Sequence, residues 1–367
     1  MAVAAELRAS GADVSFLGTR ERIEAELVPA AGYEIDFLRV RGIDRRNPLR
    51  AAGAVAEAAG AVAAARRALR RRRADAVLGG GGYVAGVAGM AAVLARTPLV
   101  LAEADSRLGL ANRLLAGRAR RVCLSFPIAG REGDRYLLTG RPVPAAVPRA
   151  DRAAARRRFG IAADDPCLLV MGGSQGARSI NLAAIEAFAE SPAAASREFH
   201  VIHLSGSRDR DELRERLAGA PYGDRYALLA YEPDLGDVLA ACDLVVARSG
   251  GSIFEVTAAG RPAILVPYPH ATADHQRGNA TWMVAAGAAE TVEDAGLSAG
   301  LLADRVRSLL ADDARLAQMA RASAALAKPD AARRIADEVL AAAANASGAP
   351  FGPIGDIKRT GSGGDDG

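Results

Sequence analysis

Short apolar runs alternate with longer stretches of helical periodicity along most of this chain. Residues 1–9 carry a helical pattern closed by Ser10-Gly11, and residues 13–17 then read as a strand. The alternation continues with a helix over 20–30, a strand over 33–40 and a long alanine-rich helix from about 48 to 73. A strand at 75–78, a helix to 95, a strand at 99–102, a helix from about 108 and a strand at 121–125 complete a first series. After 136–139, prolines and charges crowd residues 140–152, which predict a linker.

A second series follows the same style. Strands are expected at 167–171, 199–204, 227–229, 244–247, 263–266 and 289–292, separated by helical patterns, with helices from about 301 to 344. From Asn345 on, Gly, Pro, Ser and Asp dominate without periodicity, which predicts a disordered tail. The expected class is therefore α/β, with two Rossmann-like doubly wound domains, 1–144 and 145–344, and a tail over 345–367. In such sheets ligands bind beyond the carboxyl ends of the strands, so a cleft between the facing domains is the expected site.

Composition narrows the class. At 367 residues, half of them hydrophobic, the chain is long enough for two cores. Cys123, Cys167 and Cys242 form no CxxC pair, which argues against a disulfide framework or a thiolate metal site and for a reducing compartment. No apolar run approaches the roughly 20 residues of a membrane span, and no signal-peptide pattern opens the chain. The net charge of +4 is mild, but Arg66, Arg67 and Arg70 to Arg73 cluster at the end of the long helix. They read either as a solvated helix end favoured by the dipole or as an attraction to anionic lipid head groups. Nucleic acid is disfavoured, because aromatics make up only 4% of the chain and none interleave with those arginines.

Candidate chemistry collects after strand ends. Gly172-Gly173-Ser174-Gln175-Gly176 joins a buried strand to a helix, where glycines let the backbone approach a ligand and free N–H groups favour an anion such as phosphate. Gly79 to Gly82 with Tyr83, and Arg248-Ser249-Gly250-Gly251-Ser252, repeat the arrangement. Glu255, four residues after Gly251, could accept both hydroxyls of a ribose or simply complement a helix dipole. The run Pro267 to Gln276, with His270 and His275, is dense in hydrogen-bonding groups, as sugar-binding loops are. His200 and His203 read as ordinary core or edge residues, and the four histidines lack metal-site spacing. The absence of GxGxxG and GxxxxGK[ST] disfavours hydride transfer and P-loop chemistry.

Together, GGYVAG, VMGGSQGAR, RSGGSIFE, PYPHATADHQRGNA and GTRERIEAELVPAAGYEIDF resemble the MurG family over about residues 2–340. That family's transferases convert lipid I to lipid II in peptidoglycan synthesis. The resemblance implies a GT-B fold and an inverting, metal-independent transfer without a cofactor. UDP-N-acetylglucosamine would lie mainly on the C-terminal domain. Ser174, Gln175 and Gly176 would lie at the diphosphate and sugar, with Gly250 and Gly251 alongside. Glu255 would hold the ribose, and Gln276, next to His275, would hold the sugar hydroxyls. Gly81, Gly82, Tyr83, Glu103 and Asn112 would face the polyprenyl-linked muramyl-peptide acceptor. The lipid tail would place the enzyme peripherally on the cytoplasmic face of an anionic membrane.

This chain departs from the family pattern at several points. Ala102, Ala104 and Asp105 replace the usual His, Gln and Asn, and Arg141 and Pro144 stand where an Asn and an Arg are usual, so Arg141 is the candidate for the arginine contact to the nucleotide. The family's first strand and its GGTGGH loop, with the histidine usually proposed as base, have no counterpart. The expectation is a start assigned downstream, with roughly 15–25 residues of strand and loop preceding Met1. A weakened N-terminal domain and little turnover would follow. Two alternatives stay open: a non-catalytic UDP-sugar-binding relative, and a UDP-N-acetylglucosamine 2-epimerase of the same fold.

Overall fold

The computed structural model describes residues 1–39, 48–173, 175–192, 194, 198–271 and 274–347, with backbone alone for 48–56 and for 346 and 347. In the N-terminal half, β1 (Ser15–Gly18) pairs in parallel with β2 (Glu34–Phe37). The strands β3 (Val77–Gly79), β4 (Leu99–Glu103), β5 (Arg121–Leu124) and β6 (Tyr136–Leu138) form a separate parallel sheet in that order. Among the described residues no strand hydrogen-bonds β1 to β3. The two pieces nevertheless share a core, because Leu17 and Leu38 pack with Leu99, Leu101 and Val122.

The C-terminal half builds one six-stranded parallel sheet from β7 (Cys167–Met171), β8 (His200–Leu204), β9 (Tyr226–Leu229), β10 (Leu244–Ala247), β11 (Ala263–Leu265) and β12 (Ala289–Thr291). The order is β9-β8-β7-β10-β11-β12, so the winding reverses between β7 and β10. Continuous apolar strands are what a sheet covered on both faces requires. Leu168, Val170, Val246 and Ile264 pack under one helical layer, and Leu169, Met171, Val245 and Leu265 under the other.

The two halves meet through a hydrophobic contact and a crossing helix. Phe126, just after β5, is 1% exposed and stands edge-on to Phe254 and Trp282 at 4.7 and 5.1 Å, inside the C-terminal core. The last helix, Ala331–Ser347, packs on the N-terminal sheet rather than with the half that precedes it. Its Ile335, Ala336, Val339 and Ala342 bury against Leu7, Val100 and Cys123, and Glu338 accepts a hydrogen bond at 2.9 Å from Arg121 on β5. An apolar stripe shows that a helix is buried, not which sheet it covers, so residues 331–344, which the sequence pattern groups with the C-terminal half, contact the N-terminal sheet. The helix also includes Asn345 to Ser347, so the expected tail shrinks to residues 348–367, which lie outside the described residues.

The arginine run at the end of the helix Pro48–Arg72 divides in two. Arg71 donates to Asp36 at 2.7 Å, and Arg72 pairs with Asp36 at 3.0 Å and with Glu34, tying the helix to β2. Arg66, Arg67 and Arg70 instead line a groove of about 510 Å³ with Met90 and Leu94.

Candidate active site

The winding reversal puts the loops after β7 and β10 side by side, and both are the glycine loops singled out in the sequence. Their glycines are required by contact. A Cβ on Gly176, whose φ is +76°, would stand 2.1 Å from the Ser205 carbonyl oxygen, and one on Gly206 would stand 2.4 Å from the Gly176 nitrogen. The phosphate-type loop is therefore stacked directly on the chain leaving β8. Its helix, Arg178–Ile185, begins without a side-chain cap among the described residues, which leaves N–H groups of the first turn available to a ligand. Gln175 is exposed and Gly176 half-buried at its mouth. Ser174 lies outside the described residues.

Behind this loop runs a buried polar chain that the histidine pattern did not reveal. His203, fully buried, meets the Tyr226 hydroxyl at 2.7 Å through Nδ1 and the Asn181 Oδ1 at 2.9 Å through Nε2. Burial pushes its pKa down to about 3. Being neutral, the ring takes Nε2–H toward Asn181 and accepts the tyrosine proton at Nδ1. Asn181 in turn donates to the Ser205 carbonyl at 2.9 Å and to Asp209 at 2.8 Å, so it holds the floor on which Gly176 rests.

The loop after β10 carries a second set of groups. Arg248 donates to the Val266 carbonyl at 3.1 Å, to Asp294 at 2.6 Å and to the Ser179 hydroxyl at 2.8 Å, clamping three loops together. In the sequence Arg248 is simply the first residue of the RSGGS stretch. Its sole signal was a charge set at the carboxyl end of a buried strand. Gly251 faces Arg141, which reaches in from the interdomain segment: a Cβ on Gly251 would stand 2.5 Å from Arg141 Nη1.

Glu255 sits one turn further on, in the helix Ile253–Ala258. Its Oε2 is buried and has no hydrogen-bond partner among the described residues. Burial raises its pKa above the ordinary carboxylate value, opposed by a hydrogen bond from its own backbone N–H and by the Arg141 charge. A carboxylate held this way is short of donors, and vicinal hydroxyls would supply them.

The loop before the helix His275–Ala285 completes this side. Gln276 accepts from the Tyr268 N–H at 3.0 Å through Oε1, and its carbonyl accepts from the Ser249 hydroxyl at 2.7 Å. Its Nε2 is left beside Gly250, 3.8 Å from where a Cβ there would stand. Asn279, fully buried, donates to the Ser249 carbonyl at 3.1 Å. His275 is half-buried on the same turn.

Across the cleft, Gly81 and Gly82 have φ of +84° and +77° and open the helix Gly82–Ala95, again with no side-chain cap. Tyr83 is half-buried against the N-terminal core. Glu103, 5% exposed, is saturated: it accepts from Asp105 N at 3.2 Å, Gly109 N at 2.8 Å and Asn112 Nδ2 at 2.9 Å. These bonds hold the loop over 105–109 in place. Asn112, also buried, donates to the Ala102 carbonyl at 3.0 Å and lies beside Gly81, with its Oδ1 unpartnered among the described residues. Among those residues no group of three or more His, Cys, Asp or Glu could hold a metal ion.

Two family models match the chain: the glycosyltransferase family 28 N-terminal domain over residues 1–124 and its C-terminal domain over residues 167–335. Two relatives named UDP-N-acetylglucosamine–N-acetylmuramyl-(pentapeptide) pyrophosphoryl-undecaprenol N-acetylglucosamine transferase are similar throughout. That of Halorhodospira halophila is 40% identical and that of Alkalilimnicola ehrlichii 41%, with 92% of each chain covered. The crystal structure of MurG from Acinetobacter baumannii superposes with a TM-score of 0.74 at 27% identity, covering 93% of this chain and 94% of that one. A UDP-N-acetylglucosamine 2-epimerase reaches a TM-score of 0.64 at 17% identity, which is a likeness of fold alone. With both domain models matched, and full-length relatives well above 30% identity, the chain belongs to glycosyltransferase family 28 and, within it, to the MurG transferases.

Proposed function

We propose that the chain transfers N-acetylglucosamine, with inversion, from UDP-N-acetylglucosamine to a polyprenyl-diphospho-muramyl-peptide, the reaction for which its relatives are named. The observation that carries this reading is Glu255. Its half-buried carboxylate, one oxygen unpartnered, feels the Arg141 charge and sits in the helix that follows the β10 glycine loop, at the switch point of the C-terminal sheet. That set suits a nucleoside diphosphate sugar: Glu255 accepts the ribose hydroxyls, Gln175 and Gly176 with the helix start receive the diphosphate, and Arg141 neutralises charge next to Gly251. Gln276 Nε2, with Gly250 leaving room, addresses the sugar hydroxyls, and His275 borders the same turn.

In the transfer, the acceptor hydroxyl attacks the anomeric carbon while the bond to the diphosphate breaks. UDP leaves with the electron pair, and a base takes the hydroxyl proton. N–H groups and a guanidinium fixed around the diphosphate stabilise the charge that develops there, without a metal ion. The acceptor diphosphate is assigned to the start of the helix Gly82–Ala95, where Gly81, Gly82 and Tyr83 leave backbone N–H groups open. Glu103 and Asn112 support that loop from behind.

The lipid tail of such an acceptor requires a membrane surface nearby. Among the described residues no helix is long and apolar enough to cross a membrane. Met90, Leu94, Leu110 and Leu114 are exposed on two neighbouring helices, Leu114 to 70%, and Arg66, Arg67 and Arg70 flank Met90 and Leu94. We assign this face to peripheral contact with an anionic bilayer on the cytoplasmic side.

Calorimetric titration tests the donor assignment. UDP-N-acetylglucosamine should bind equally with and without a metal chelator, and UDP should displace it while ADP does not. Binding that requires a divalent ion, or equal competition by ADP, would contradict the assignment.

A further inference from the structure

Ser106 lies on the loop that Glu103 organises, after β4 of the N-terminal sheet, yet its partners belong to the other domain. Its N–H donates to Asn279 Oδ1 at 3.2 Å and its hydroxyl to the His275 carbonyl at 3.2 Å. The approach depends on the residue opposite: a Cβ on Gly278 would stand 2.5 Å from Ser106 Oγ and 3.3 Å from Ser106 Cβ. Gly278 is inside the helix His275–Ala285, where alanine would be the better helix former, so glycine here serves the approach and not the helix.

The contact reaches the donor side in one step. Asn279, which receives the Ser106 N–H, donates to the Ser249 carbonyl, and the Ser249 hydroxyl donates to the Gln276 carbonyl. The loop behind the acceptor assignment and the turn assigned to the donor sugar are thus a single hydrogen-bonded unit across the cleft. From this geometry we infer that Ser106 is a positioning residue for the transfer. Its contact with the Gly278 turn sets the separation between the acceptor loop and the sugar-binding turn. The inference rests on the donor and acceptor assignments proposed above for what is being positioned, but the contact itself does not depend on them.

A steric wedge and its relief test this. Gly278→Ala places a methyl group against Ser106, and adding Ser106→Gly removes both atoms it would meet. With UDP-N-acetylglucosamine and a lipid I analogue, Gly278→Ala is expected to lower kcat/KM for the acceptor at least tenfold. Its Kd for UDP is expected to stay within twofold of the parent. The double variant Ser106→Gly, Gly278→Ala should recover to within threefold of Ser106→Gly alone. A separate readout needs no turnover. The native cysteines Cys123, Cys167 and Cys242 are buried, so spin labels at Arg135→Cys and Arg214→Cys, both exposed, report the distance between domains. Gly278→Ala should lengthen or broaden that distance and the double variant should restore it. An unchanged distance in Gly278→Ala, or a double variant as altered as the single one, overturns the inference. A changed and restored distance in a chain without transferase activity would leave the contact standing and count against the functional reading instead.

Discussion

Arg141 and Gly251 are in direct contact, the guanidinium lying where any side chain at 251 would have to go. The pairing gives the donor loop a cation drawn from the interdomain segment, three positions before Pro144. Gly251→Ala should push the guanidinium aside, a shift that a flexible side chain makes easily. Gly251→Ala and Arg141→Ala are each expected to weaken UDP binding about tenfold, about 1.4 kcal/mol. They should be strongly non-additive, because both act on one contact. Uridine, which has no phosphate, should bind all variants alike, and calorimetry with UDP and uridine separates the two cases.

Glu255 makes donor binding depend on pH in a defined direction. Burial holds its pKa above the usual carboxylate value, and ribose hydroxyls donate to the ionised form and lower it again. Binding should therefore release a proton near that raised pKa. Affinity should grow as pH rises through it and level off above. Glu255→Gln should flatten the profile, and Glu255→Ala should cost about 1 to 3 kcal/mol at neutral pH. Titrations in buffers of different ionisation enthalpy check the proton release.

His203 governs stability on the acid side. Its pKa is lowered from 6.5 to about 3 in the folded chain, so below 6.5 the unfolded state binds the extra proton and the folded state does not. The contribution is intact above 6.5 and is lost as pH falls, by about 2 kcal/mol at pH 5. His203→Gln should be less stable at neutral pH because the Tyr226 and Asn181 contacts are disturbed, and its stability should fall less between pH 7 and 5. Denaturant unfolding at the two pH values gives the comparison.

The exposed Met90, Leu94 and Leu114 with Arg66, Arg67 and Arg70 predict binding to anionic vesicles. Added salt should weaken it, since the screening length is about 8 to 10 Å near physiological ionic strength. Leu94→Asp should reduce sedimentation with vesicles without affecting UDP binding. Binding indifferent to both salt and lipid charge would remove this face from membrane contact.

Much of the donor side was legible because its signals are local. A glycine run between a buried strand and a helix is visible in ten residues, and β7 with Gly172 to Gly176 and β10 with Gly250 and Gly251 fall where the alternation put them. What stayed hidden depends on contacts between distant segments. Ser106 and Gly278 are 172 positions apart; Ser106 belongs to no quoted motif, and Gly278, though inside PYPHATADHQRGNA, looks like any other glycine until its neighbour is known. Glu103 enters the sequence reading only through its match to the family's acceptor-side segment, and its three donors, Asp105 N, Gly109 N and Asn112 Nδ2, could not be read from the sequence. The arginine run was read as one unit, and Asp36 and Glu34 on β2 divide it. The last helix carries its apolar stripe plainly, while its partner sheet is fixed by Leu7, Val100 and Cys123, which no periodicity connects to it.

The central claim is the transfer itself, and the stereochemistry of its product tests it most directly. The full chain, incubated with UDP-N-acetylglucosamine carrying labelled sugar and a lipid I analogue in anionic vesicles, should move the label, at a low rate, into a lipid-extractable product while releasing one UDP per sugar moved. The new glycosidic bond, read by nuclear magnetic resonance, should have the β configuration, opposite to the α linkage of the donor. UDP released at the same rate without acceptor, or the 2-epimer of the sugar as the only product, would contradict the account.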